Sequence, residues 1–207
     1  EWVAAKVIRF PALLDELIDP SLGRQIPDQE QCSQSVRRIV GAAQGTEAVL
    51  EGLNYLKLAT ELRVAVGQLK GSLAGEDAQE ALTHLASALL GGVLDIAALE
   101  IEARHGRFSE KDQMAIIGYG SLGAFELGYE SDLDIVFLFR AEQNLSDGPR
   151  PLPPERYFAR LAQRALSFLT VMTPSGRLYE VDTRLRPNGR AGSLVSSVEA
   201  FREYQMK

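Results

Sequence analysis

Two aspartates two residues apart, Asp132 and Asp134, enter an apolar run, Leu133 to Phe139, shortly after a glycine-rich turn, Gly118-Tyr119-Gly120-Ser121-Leu122-Gly123. Residues i and i+2 of a strand share a face, so the two carboxylates point the same way. Carboxylates held side by side repel unless a cation or a proton intervenes, and hard oxygen ligands of this kind suit magnesium when substrate phosphates complete its shell. The turn supplies the phosphate half of the site. Met114 to Ile117 reads as a buried strand, and the glycines after it let backbone amides approach a phosphate. Ser121 falls where a new helix would start, with its hydroxyl and free amides available to phosphate oxygens. No Gly-Lys-Ser/Thr follows, so this is not a Walker loop, and the acidic residue a dinucleotide fold requires about twenty positions on is missing.

A third carboxylate lies in Leu178-Tyr179-Glu180-Val181-Asp182-Thr183-Arg184-Leu185-Arg186-Pro187. The alternation predicts a half-buried strand with Glu180, Asp182, Arg184 and Arg186 on one face. Guanidinium forks match phosphate oxygens in geometry and charge, so two arginines beside a metal-binding carboxylate suit a polyphosphate. Standing alone, the segment would read as a surface strand with paired charges.

These residues must be held by a core, and 207 residues with 45% hydrophobic content provide one. Apolar stripes at helical spacing run from Phe10 to about Arg104: Leu13, Leu14, Leu17 and Ile18, with Pro11 opening the helix; then Leu50, Leu53, Leu56 and Leu58; then Leu82, Leu85, Leu89, Leu90 and Leu94. Pro20 and the 22–29 stretch end the first, and Lys70 to Gly75 separates the others. After Gly106 strands and helices alternate, and a proline-rich connector, 148–154, leads into a helix with Arg156, Arg160 and Arg164 on one face. That face reads as solvated, at most bordering a triphosphate. The expected organisation is α+β: a helical bundle over 1–105, then a catalytic core with a small mixed sheet flanked by helices over 106–207.

The net charge is −6, with the acidic excess confined to 1–105, so no surface for nucleic acid is advertised. No uninterrupted apolar segment reads as a membrane span, and no association with a membrane is expected. Cys32 is the only cysteine, which excludes an internal disulfide and points to the cytoplasm. His84 reads as structural; His105, before Gly106, reads as a favourable charge at a helix end. The first residue is not methionine and a helical pattern runs to the last residues, so a piece of a longer protein is expected.

GYGSLGAFELGYESDLDIVFLF (118–139) and LYEVDTRLRPNGRAGSLVSS (178–197) resemble the nucleotidyltransferase core of the glutamine synthetase adenylyltransferase family, within the polymerase-beta-like superfamily. With FPALLDELIDP (10–20), the resemblance covers nearly the whole chain and leans toward the carboxy-terminal, adenylyl-adding half of a bifunctional enzyme. It implies transfer of AMP from ATP to a tyrosine of glutamine synthetase with two magnesium ions, manganese being equally suited to the ligands. It places catalysis and metal binding on Asp132, Asp134 and Asp182, and nucleotide binding on Gly120, Ser121, Ser131, Arg184 and Arg186. It implies glutamine and the PII signalling protein as regulators. Two positions depart from the family pattern: Ser121 stands where lysine is usual, and Ala124 where a second glycine is usual. The resemblance also implies a carboxy-terminal helical domain following such a core. The competing readings are the adenylyl-removing half, a nucleic-acid-end nucleotidyltransferase, and a regulatory module that binds nucleotide without turnover.

Overall fold

The structure is a computed structural model that describes residues 2–19, 22–109 and 113–206. Among them are eight α-helices and four strands, in the order α1 (Trp2–Arg9), α2 (Leu14–Leu17), α3 (Gln29–Ala42), α4 (Thr46–Leu69), α5 (Gly75–His105), β1 (Gln113–Gly118), α6 (Gly120–Gly123), β2 (Leu133–Arg140), α7 (Pro154–Thr170), β3 (Val181–Asp182), β4 (Val195–Ser197) and α8 (Val198–Gln205). The chain is therefore α+β with a small mixed sheet. It divides into two compact units, one of residues 1–92, 124–131 and 171–178, the other of 93–123, 132–170 and 179–207.

The first unit is helical. Asp28 caps α3 by accepting from the Gln31 amide at 2.8 Å while the Gln31 side chain accepts from the Asp28 amide at 3.0 Å, a reciprocal box that satisfies two otherwise orphaned donors. Of the two predicted stripes, Leu50, Leu53 and Leu58 of α4 and Leu82, Leu85, Leu89 and Leu90 of α5 are buried, while Leu56 and Leu94 are only half-buried. The first stripe is different. Pro11 to Leu13 forms a turn of 3-10 helix and α2 lasts four residues, so Leu13 is 1% exposed whereas Ile18 is 78% exposed, with Leu14 and Leu17 exposed as well. A stripe spaced for a continuous α-helix loses its common face when the residues per turn change. Pro20 lies outside the described residues.

The expectation that no segment reaches membrane-span length is corrected by α5. Its 31 residues include an 18-residue window of mean hydropathy 1.6, long and apolar enough to cross a bilayer. Its leucines 82, 85, 89 and 90 are instead buried in the helical unit, which is how a core helix passes the same test.

In the second unit β2 is the strand around which the sheet is built. β1 pairs with it antiparallel from Gln113↔Arg140 to Gly118↔Ile135. The opposite edge takes β3 in parallel at Leu133 and Asp134, then β4 in parallel at Phe137 to Phe139. Every residue from Ile135 to Phe139 is buried, so the strand reads as an unbroken apolar run rather than an alternation. Phe158 of α7 stacks between Phe139, at 5.0 Å between ring centroids, and Phe108, at 5.6 Å, and so clamps the helix to one face of β2.

His105 closes α5, but not as a helix-end charge. It is 6% exposed, and its Nδ1 sits 2.7 Å from the Arg150 carbonyl, so Nδ1 must be the donor. Its Nε2 then carries a lone pair and accepts from Arg160 Nη1 at 2.9 Å. The ring is neutral, a joint between α5, the proline-rich connector and α7. Of the arginine face on α7, Arg160 is thus held by His105, and Arg164 is gripped by Glu100 through Nε at 2.6 Å and Nη2 at 3.0 Å. Neither is merely solvated.

Truncating Phe137, fully buried at the centre of β2, to alanine is expected to cost about 3–5 kcal/mol. Urea unfolding followed by circular dichroism checks this, and a loss below about 1 kcal/mol would show that β2 is not the core of its unit.

Candidate functional site

The site grows from the loop that joins β1 to α6. The Tyr119 amide donates to the Asp134 carbonyl at 2.8 Å, extending the β1–β2 ladder to the entrance of the strand. Gly120 follows with φ +52°, and a Cβ there would lie 2.5 Å from Asp134 Oδ2. Glycine is required here on two grounds, the left-handed backbone and the carboxylate packed against it. A Cβ at Gly123 would lie 2.6 Å from the Gly118 carbonyl oxygen, so α6 is folded back tightly on the strand it leaves. Ser121 is half-buried in that single turn of helix.

Across the sheet, the parallel register sets Asp134 directly beside Asp182, and Leu133 reinforces the pairing by donating its amide to the Glu180 carbonyl at 2.9 Å. Asp132 is exposed one step before β2, two residues from Asp134 and therefore on its side of the chain. Burial, then the negative charges of Asp132 and Asp182, push the Asp134 carboxyl above the usual carboxylate range, while Arg184 pulls it back. The three sequence-predicted carboxylates thus belong to one electrostatic group.

The arginines are arranged otherwise than the alternation predicted. β3 ends at Asp182 and the chain turns, so Glu180, Asp182, Arg184 and Arg186 do not form one strand face. The Arg184 amide donates to Asp182 Oδ1 at 2.8 Å and its Nε to Oδ2 at 2.6 Å, with Nη2 also on Oδ2. An aspartate that captures the amide two residues on is a turn-former, and this competes with the strand ladder. Arg184 is the cation of the acidic group, its own proton held more tightly by the bond to Asp182. Arg186 lies in the next turn, donating from Nη1 to the Thr183 carbonyl at 2.6 Å and to Thr183 Oγ1 at 2.7 Å; its Nε is buried without a hydrogen-bond partner. Ser131 falls in the first unit, where its hydroxyl accepts from the Gly128 amide at 3.0 Å.

Among the described residues no group of three or more His, Cys, Asp or Glu side chains is already closed into a metal cage. The donor chemistry nonetheless fits a hard divalent cation, since carboxylates are crowded together and one has raised proton affinity, with Arg184 now pairing the Asp182 carboxylate that a cation would take.

The sequence model of the glutamate-ammonia ligase adenylyltransferase family matches residues 1–207. The chain belongs to that family. Among similar relatives are proteins of Xanthomonas oryzae pv. oryzae (43% identical over 205 residues, 98% of this chain), Stenotrophomonas maltophilia strain R551-3 (42% over 205 residues, 98%) and Pseudomonas syringae pv. tomato (41% over 213 residues, 99%). Each is named a bifunctional glutamine synthetase adenylyltransferase/adenylyl-removing enzyme, and the chain spans 22% of the length of each. Within this adenylyltransferase family, what sequence reasoning missed is the contact of Gly120 with Asp134 and the hold of Arg184 on Asp182. The second had a readable signal, an aspartate followed two residues later by arginine just before Arg-Pro, where a turn competes with a strand.

A carboxyl whose folded proton affinity is raised contributes most below its ordinary pKa and becomes a cost as pH rises through the raised value. Asp134→Asn is therefore expected to raise the melting temperature at pH 7 and leave it unchanged near pH 3; a lower melting temperature at pH 7 would contradict the repulsion. Gly120→Ala is expected to destabilise the fold by about 1–3 kcal/mol through left-handed strain and displacement of Asp134, measured by urea unfolding.

Proposed function

We propose that this chain is the nucleotidyl-transferring core of an enzyme that moves AMP from ATP onto a tyrosine hydroxyl of glutamine synthetase, releasing pyrophosphate. The observation that carries the reading is the register of β2 and β3, which sets Asp134 beside Asp182 at the edge of a glycine turn whose backbone runs against the Asp134 carboxylate. We assign the core to the polymerase-beta-like arrangement on the same grounds, an Asp-x-Asp entering the central strand and a third aspartate on its neighbour. The names of the relatives supply the acceptor protein and the two opposed activities.

Magnesium or manganese, held by Asp132, Asp134 and Asp182, would neutralise charge on the phosphates and lower the pKa of the attacking hydroxyl. The chain's own groups do the rest. The turn of Gly120 and Ser121 places small residues and backbone amides where phosphate oxygens approach, and the hydroxyl of Ser121 takes the place of the lysine usual in the family. Arg184, exposed and held at one end by Asp182, would bring charge to the leaving pyrophosphate, and Arg186 is assigned to the same anion. We assign Ser131 to the nucleotide as well, through its position next to Asp132.

A tyrosine hydroxyl has a pKa of about 10, so attack near neutrality requires that its proton be taken as the bond forms. Asp182 is the proposed acceptor. The phenol oxygen bonds to the α-phosphorus, the bond from that phosphorus to the β-bridging oxygen breaks, and the electron pair leaves with pyrophosphate. Glutamine and the PII protein, regulators expected from the family resemblance, would act on this step.

The test is transfer of labelled AMP from ATP to purified glutamine synthetase. The parent chain is expected to label the tyrosine, and Asp134→Asn to lose on the order of 100-fold or more of the rate. Equal labelling by both would remove the carboxylates from the chemistry. ADP formation from adenylylated glutamine synthetase and phosphate, without transfer from ATP, would assign the chain to the adenylyl-removing reaction.

A further inference from the structure

A second array of arginines lies in the second unit, on elements that carry none of the residues assigned above. A groove of about 790 Å³ runs between the last turns of α5, at Glu100, Ile101, Ala103, Arg104 and His105, and α7, at Arg160, Gln163, Arg164 and Ser167. Its size is that of a small-molecule site rather than a bed for a protein segment.

Two of its three guanidinium groups are fixed in advance. Glu100 grips Arg164 through two bonds, and the Arg164 guanidinium rests 4.3 Å from the centroid of the Phe168 ring. That bidentate pair engages Glu100, the one carboxylate among the described residues that line the groove. Arg160 is held quite differently. Its partner is the Nε2 of neutral His105, whose other nitrogen is committed to the Arg150 carbonyl.

The choice of partner decides the electrostatics. A carboxylate would orient Arg160 and cancel its charge; a neutral imidazole orients it and leaves the charge whole. The imidazole is itself buried and held at both nitrogens, so one Nη of the otherwise exposed Arg160 is anchored before any ligand arrives. Arg104, one residue before His105, lines the same groove and has no hydrogen bond or ion pair among the described residues. Two arginines with no carboxylate partner among the described residues, Arg160 held by His105 and Arg104 in the last turn of α5, therefore line a space whose wall also includes Gln163 and Ser167. Two guanidinium forks on the wall of one groove suit the oxygens of a phosphate dianion.

We propose that the groove between the end of α5 and α7 is an anion site, distinct from the Gly120–Asp182 site, that takes the phosphate group of a small phosphorylated molecule on Arg104 and Arg160. It needs no metal and does not depend on which reaction the aspartates perform.

The test is a titration of the 207-residue chain with inorganic phosphate at constant ionic strength, followed by the arginine Nε–H resonances in heteronuclear NMR. Saturable shifts at Arg104 and Arg160 are expected. Arg104→Ala and Arg160→Ala are each expected to weaken binding at least about tenfold, the loss of a charge-assisted contact, whereas Arg184→Ala leaves these shifts in place. Arg160→Ala also removes a partner of buried His105; Arg104→Ala removes no internal bond and tests the site without disturbing the fold. No saturable shift at Arg104 and Arg160, or unchanged affinity in Arg104→Ala, would overturn the proposal. So would loss of the shifts in Arg184→Ala, which would place the phosphate at the other site.

Discussion

The feature on which the site depends is a two-residue parallel ladder, Leu133 with Val181 and Asp134 with Asp182, at the entrance of β2. It holds two carboxylates as neighbours across adjacent strands, where their charges oppose each other and Asp134 resists ionising. Such an arrangement would slide apart if the strands were free to shift. They are not, because Leu133 and Ile135 to Phe139 are buried and a slip of one residue would carry Asp134 into a fully buried apolar position. The cost of the acidic pair is carried by the packing of β2, by the antiparallel ladder with β1 along its other edge, and by the ion pair from Arg184.

The glycine turn follows from the same constraint. With the Asp134 carbonyl committed to the Tyr119 amide and its carboxylate against Gly120, nothing larger than hydrogen fits at that α-carbon. The loop thus packs its backbone directly against the Asp134 carboxylate. On the far side of the strand, Phe139, Phe158 and Phe108 tie α7 to the sheet, and His105 and Glu100 tie α7 to the end of α5 through Arg160 and Arg164. The rigidity of the second unit and the anion groove proposed on it come from one set of contacts.

Much of this was legible in the residues. The apolar run of β2, the glycines after β1, the break from Lys70 to Gly75 and the pairing of Asp132 with Asp134 each follow from local chemistry that tertiary structure does not overrule. The failures share a cause, which is competition the pattern alone does not resolve. Leu14, Leu17 and Ile18 carry helical spacing, but Pro11 opens a 3-10 turn and the face is lost. Arg184 and Arg186 carry strand spacing, but Asp182 bonds the amide two residues on and ends the strand. His105 sits at a helix end where a charge would be favourable, yet the Arg150 carbonyl and the Arg160 guanidinium, 45 and 55 residues away in sequence, require it to be neutral. The length of α5 was hidden by scattered polar residues that leave its 18-residue window apolar on average.

The proposed chemistry requires Asp132, Asp134 and Asp182 to act together on a cation and a nucleotide, although Asp182 is engaged by Arg184 in the structure. The most direct measurement is a crystal structure of the chain with manganese and a non-hydrolysable ATP analogue, with manganese located by its anomalous scattering. A peak is expected between Asp134 and Asp182, with the analogue's phosphates against Gly120 and Ser121 and Arg184 moved from Asp182 to the phosphates. A complex in which nucleotide is bound, the Arg184–Asp182 pair is intact and no manganese lies on these carboxylates would contradict it.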